Sequence, residues 1–71
     1  MNKNPDTNVI KELKKLYLAK DYVQAKKRLV ILVKSHPNSS QLLSMLAVIF
    51  HNQGDFDEAI KYYEKSIKID P

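Results

Sequence analysis

Apolar residues recur three and four positions apart in four successive segments, which predicts four amphipathic α-helices. The first helix is expected to end at about Ala19, the second at about Ser35, and the third at 52–54. The fourth helix follows Gly54 and stops before Pro71. The third segment, from about residue 40, is the most apolar, so we expect it to lie between the others.

Polar residues at the segment boundaries predict where the helices begin. Asn4–Asp6 offers capping oxygens and a proline suited to a first helical turn. Asp21 with Gln24, and Asp55 with Glu58, each have the spacing of a capping box. These signals predict a helix start after each of the three sites.

The turns between the helices differ in one residue. Gly54 can adopt the left-handed backbone that closes a helix. Lys20 occupies the same place in the earlier turn, where that backbone costs a non-glycine residue about 1 kcal/mol. We therefore expect the turn at Lys20 to be less stable or differently shaped. His36–Ser40 contains a proline and capping residues, and separates the second helix from the third.

The last helix has an apolar face and both of its ends are specified. Phe56, Ala59, Ile60, Tyr63 and Ile67 fall three and four positions apart, so they share one face. Charged residues occupy the remaining positions. The pattern predicts a helix whose apolar side is built to contact a neighbour.

The chain repeats itself with an offset of 34 residues. Identical pairs at this offset include Asp21 and Asp55, Ala25 and Ala59, Lys27 and Lys61, Lys34 and Lys68, and Pro37 and Pro71. A helix pair that recurs every 34 residues resembles the tetratricopeptide repeat. Repeat one would cover residues 6–39 and repeat two residues 40–71, within one domain spanning 1–71.

The second repeat fills the positions of the family pattern closely. These positions are Leu43, Leu46, Ala47, Phe50, Gly54, Ala59, Tyr63, Ser66 and Pro71. The first repeat matches at Leu16, Ala25, Leu29 and Pro37. It departs at Glu12, at Lys20, and at Leu13, where the family has a small residue that lets the paired helices approach. The resemblance implies an all-α fold, with two antiparallel helix-turn-helix units stacked as a short right-handed superhelix.

Composition limits the size and chemistry of this fold. Seventy-one residues without cysteine suffice for one small domain that no disulfide can stabilise. The longest apolar run is far shorter than the roughly 20 residues of a membrane span, and the start has no signal-peptide core. We therefore expect a cytoplasmic protein with no membrane association.

Charge is distributed unevenly along the chain. Residues 1–37 carry nine Lys or Arg and three acids, a net charge of +6. Residues 38–71 carry three Lys and five acids, a net charge of −2. This asymmetry is compatible with solvated helix surfaces, with an anionic partner, or with head-to-tail contact between copies.

No residue pattern indicates catalysis, a metal site or a cofactor. His36 and His51 lack partners at the spacing of a triad or a metal site. A single glycine excludes a glycine-rich phosphate loop. Tyr62 and Tyr63 near lysines could stack on bases, but their helix positions favour packing, so we do not expect nucleic-acid binding. We predict that the chain is not an enzyme and needs no cofactor.

The resemblance also implies where a partner would bind. In the family, the first helices of successive pairs line a concave groove that holds a peptide or a partner helix. The corresponding positions are Ile10, Lys14, Tyr17, Ser44, Val48, His51 and Asn52. The lysine and asparagine clamp that some members use for a C-terminal carboxylate is absent, because Ile10, Lys14 and Met45 occupy its places.

A second predicted surface lies on the last helix pair. Family members usually close with a further polar helix, so apolar surface there should remain uncovered. The predicted association face is Leu46, Ile49, Phe50, Tyr62, Tyr63 and Ile67. We predict a protein interaction module acting through the groove or this face. The alternatives are the N-terminal regulatory or substrate-recruiting part of a larger transferase-type enzyme, and a self-assembling structural unit.

Overall fold

The structure, a computed structural model, describes residues 6–71, which form four α-helices joined by short turns. Helix α1 spans Thr7–Leu18, α2 Tyr22–Ser35, α3 Ser40–Asn52 and α4 Phe56–Ile69. The four predicted helices are confirmed, with ends close to those expected. The predicted capping and helix-starting roles of Asn4 and Pro5 lie outside the described residues.

A side-chain cap bond forms at three of the four helix starts. Asp6, with ψ of 145°, accepts a backbone N–H at 3.0 Å, and Ser39, with ψ of 102°, accepts one at 3.3 Å. Asp21, with ψ of 66°, accepts at 3.4 Å, and Asp55, with ψ of 73°, makes no side-chain cap bond. The predicted cap at Asp55 is therefore wrong, and since its backbone angles are close to those of Asp21, the difference lies in the orientation of the side chain.

The turns at Lys20 and Gly54 have the same conformation. Both residues are left-handed, with φ of 61° and 81°. In each turn the N–H of the left-handed residue donates to the carbonyl three positions back at 3.0 Å. The next N–H donates five positions back at 2.9 Å. This pair of bonds is a Schellman motif. The expectation of a differently shaped turn at Lys20 is wrong, because the hydrogen bonds hold the lysine in the conformation that glycine adopts freely.

The two helix pairs differ in how closely they pack. Helices α3 and α4 share the most extensive contact of the neighbouring helices, and α1 and α2 share the least. Ala47 on α3 and Ala59 on α4 are both buried and have small side chains, which lets those backbones approach. The residue equivalent to Ala47 in the first pair is Leu13, which is also buried. Its larger side chain accounts for the looser first pair.

One hydrophobic cluster joins the first three helices, and Tyr62 of α4 packs against it. Helix α3 has the most buried residues, which confirms that it lies between the other elements. The buried members of the cluster are Ile10, Leu13, Ala25, Leu29, Leu42, Leu46 and Ile49.

Serine hydroxyls tie α4 to α3 inside this packing. The Ser66 hydroxyl donates to the Ser40 carbonyl at 3.0 Å and lies 2.7 Å from the Ser44 hydroxyl. Because Ser66 has one hydroxyl proton, Ser44 is the donor in the second bond. These bonds fix the position of α4 along the axis of α3. They also give the buried Ser66 hydroxyl both a donor and an acceptor.

Candidate binding surfaces

A cleft of about 280 Å³ opens between α1 and α3. Its walls are almost entirely apolar and come from one to two turns of each helix. The lining residues are Leu13, Lys14, Tyr17, Ser44, Met45, Val48 and Ile49. The cleft lies between the first helices of the two pairs, where the groove was predicted.

The structure brings together only part of the predicted groove. Lys14, Tyr17, Ser44 and Val48 line the cleft. The other three do not line it: Ile10 belongs to the hydrophobic core, while His51 and Asn52 are exposed beyond its edge. The cleft is therefore shorter than the predicted groove.

Tyr17 is held in place by a second aromatic ring. Its ring meets that of Tyr22 on α2 edge-on, with centroids 5.8 Å apart. The equivalent residues of the second repeat, His51 and Phe56, form a similar pair at 5.3 Å. Such pairs favour edge contacts over face-to-face stacking. The wall of the cleft at Tyr17 is thus supported from behind by α2.

Few polar groups face the cleft. The Ser44 hydroxyl is engaged with Ser66 on α4, and the other lining residues with polar side-chain groups are Lys14 and Tyr17. Helix α3 has no Asp, Glu, Lys or Arg. Glu12 of α1 lies 3.2 Å from Arg28 of α2 in an exposed ion pair. No carboxylate lines the cleft, and its fixed charge is positive.

A second surface lies on α4. Phe56, Ile60 and Ile67 are exposed over 56%, 55% and 60% of their surface, and the half-buried Tyr63 lies between them. These four residues follow the i, i+4, i+7, i+11 spacing of one helix face. We call them the α4 stripe. Ala59, which was assigned to the same face, is buried against α3 instead.

The predicted association face needs correction on this point. Leu46 and Ile49 are buried in the core, so neither is left uncovered. Phe50 and Tyr62 are half-buried and stack on each other, with centroids 5.5 Å apart and planes 10° apart. Of the six residues of the predicted face, Ile67 and part of Tyr63 remain exposed without such a partner.

Lysines cover the outer surfaces of the stacked rings. The Lys26 ammonium lies 5.4 Å from the centre of Phe50 and donates to the Gln53 side chain at 3.2 Å. The Lys65 ammonium lies 5.1 Å from the centre of Tyr62. Both distances allow cation–π attraction. These rings are therefore partnered within the chain and serve its packing.

The sequence contained signals for the residues that the prediction missed. Phe56 and Ile60 continue the spacing of Tyr63 and Ile67, so the helical period alone identifies the stripe. Leu13 and Met45 also line the cleft. The sequence had marked Leu13 as larger than the family's usual residue and Met45 as occupying a place of the family's carboxylate clamp.

Within residues 6–71, no group of three His, Asp or Glu side chains is placed to hold a metal ion. No helix in this part of the chain has the length and hydropathy of a membrane span.

Two stacked helix hairpins with matching turns are the architecture of an α-helical repeat protein. The sequence model of the tetratricopeptide repeat family matches residues 40–71, so the second hairpin is a tetratricopeptide repeat. Repeats of this family generally mediate protein–protein interactions and are typically non-catalytic. Neither the comparison with curated proteins nor the comparison with solved structures gives a match.

Proposed function

We propose that the cleft between α1 and α3 binds a peptide segment or a helix of a partner protein. The observation that supports this proposal is the cleft itself, an open apolar depression bounded by Tyr17 on α1 and Val48 on α3. Burial of apolar surface is the main favourable term in most protein association. A concave apolar surface with few polar groups is the arrangement that binding sites commonly show.

Selection of a displayed library of random peptides on the immobilised protein tests this proposal. Binders selected on the wild type should lose affinity for Tyr17→Asp and Val48→Asp, because each change places a charge against an apolar wall. Val23→Asp is the matched control, since Val23 is exposed on α2 outside the cleft. NMR shift changes of α1 and α3 amides on titration would locate the bound peptide.

Circular dichroism of each variant would establish that the helices remain intact. Binders that retain their affinity for both cleft variants, while shifting amides elsewhere, would disprove groove binding. A wild type that selects no binders above background would count against the proposal as well.

A second proposed role is self-association or capture of a partner helix by the α4 stripe. Its exposed Phe56, Ile60 and Ile67 present the contiguous face that helix pairs use for contact. If the chain self-associates, sedimentation should show a concentration-dependent mass that Ile60→Asp and Ile67→Asp abolish. Ile31→Asp, an exposed residue of α2, is the control. A monomer at all concentrations would eliminate self-association.

The remaining expectations from the sequence stay predictions. A role within a larger transferase-type enzyme would use the same cleft to recruit substrate or regulator. A cytoplasmic location and the absence of catalytic activity in this chain are likewise predictions.

A further inference from the structure

We infer that the cleft selects an acidic segment that presents one large apolar side chain. This inference rests on the proposed function and specifies the chemistry of the partner. It follows from the size of the cleft, from the charges beside it, and from the carboxylates that are missing there.

The size of the cleft limits what can enter it. Its volume of about 280 Å³ is at the lower limit of the roughly 300–1,000 Å³ that small-molecule sites occupy. It extends over only one to two turns of α1 and α3. A single leucine, methionine or phenylalanine side chain suits such a depression, and the walls of Met45 and Val48 offer it apolar contact.

The charges around the cleft determine what should flank that side chain. Lys14 lines the cleft, and Lys11 lies one turn earlier on the same side of α1. Both lysines are exposed and form no ion pair in the part of the chain described. An acidic residue next to the apolar anchor can therefore pair with Lys14 without displacing an internal partner.

The two helices that form the cleft offer no carboxylate to a partner there. Glu12 is the acidic residue within α1, and Arg28 holds it on the side that faces α2. Helix α3 contributes no acid. A basic partner segment would thus meet Lys14 with no carboxylate of the cleft to offset the repulsion, which discriminates against it.

Three short capped peptides labelled with fluorescein provide the probes. The first has a central leucine flanked by acidic residues on both sides. In the second the flanking residues are lysines, and in the third the leucine is replaced by serine within the acidic background. Anisotropy titrations at low and high salt measure their affinities. The acidic leucine peptide should bind most tightly and weaken as salt screens the charges.

Charge reversal at the cleft gives the sharper test. Lys14→Glu should lower the affinity for the acidic leucine peptide by about tenfold and raise the affinity for the lysine-flanked peptide, as expected for reversing one partly exposed charge pair. Lys61→Glu on α4 changes net charge equally at an exposed residue away from the cleft, so it should leave the preference unchanged.

The outcomes separate this inference from the proposal on which it rests. If acidic and basic leucine peptides bind equally well and Tyr17→Asp abolishes both, the groove binds peptides without the charge preference, and the inference is overturned alone. Equal effects of Lys14→Glu and Lys61→Glu would also overturn it. If the wild type binds none of the three probes, the inference fails, and the library selection decides the groove proposal independently.

Discussion

Lys20 and Gly54, 34 residues apart, adopt the same left-handed backbone, with φ of 61° and 81°. In each turn, the N–H groups of this residue and of the next one form the same pair of Schellman hydrogen bonds. Glycine reaches this conformation without steric cost, whereas a residue with a Cβ is strained by roughly 1–2 kcal/mol. One repeat therefore has a relaxed turn and the other a strained turn of identical shape.

Replacing Lys20 by glycine should stabilise the protein. The relief of backbone strain exceeds the entropy that glycine adds to the unfolded chain, so the free energy of unfolding should rise by about 0.5–1 kcal/mol. Urea unfolding monitored by circular dichroism measures the change. Lys20→Ala is the control, since it removes the same side chain but keeps the strained backbone, and it should give little gain.

The reciprocal substitution at Gly54 should destabilise the protein. No heavy atom outside Gly54 and its two chain neighbours lies within 4 Å of the position that a Cβ would occupy, so the cost of Gly54→Ala, about 1 kcal/mol, comes from the local backbone. Equal stability of wild type and Gly54→Ala would show that the turn relaxes instead of straining.

The sequence predicted the helices and their order because each signal was local. Apolar spacing marked every helix, and the 34-residue offset revealed that the helices form pairs. Local signals could not decide which part of the broad apolar face of α4 would be covered. Ala59 and Ile60 both belong to that face, yet contact with α3 buries Ala59 and leaves Ile60 exposed.

The cap at Asp55 and the extent of the groove failed for a related reason. A capping box identifies residues that can form the bond, whereas the bond also requires the right side-chain orientation, since Asp21 forms it and Asp55 does not at similar ψ angles of 66° and 73°. The groove positions of Ile10 and His51 were carried over from the family pattern, whereas the apolar depression lies between Leu13 and Tyr17 on α1 and is lined by neither Ile10 nor His51.

The caps at Ser39 and Asp55 should differ in their contribution to stability. Ser39 is buried and accepts the N–H of Leu42, so Ser39→Ala should lower the free energy of unfolding by about 1 kcal/mol. Asp55→Ala removes an exposed carboxylate that makes no cap bond. This change should lower the free energy of unfolding by only a few tenths of a kcal/mol, through the lost attraction between the carboxylate and the helix dipole. Chemical unfolding of both variants checks the order, which a larger loss at Asp55 would contradict.

Enlarging Ala47 should separate α3 from α4. Ala47→Leu introduces into the tight pair the residue type that position 13 has in the loose pair, and overpacking of this kind costs about 1–3 kcal/mol. Thermal unfolding should show a lower midpoint. Ala19→Leu, at an exposed site after α1, is the matched control and should be close to neutral. A tolerated Ala47→Leu would mean that the helices can shift apart without loss.

Helix α1 is held in place by limited contact with α2. Regions with few buried contacts open with a lower free energy than the rest of a protein. One wall of the cleft belongs to α1 and the other to the firmly held α3. Amide hydrogens of α1 should therefore exchange with solvent faster than those of α3. A ligand that bridges the two helices would slow exchange in α1 most, so that binding and the ordering of one helix become a single equilibrium.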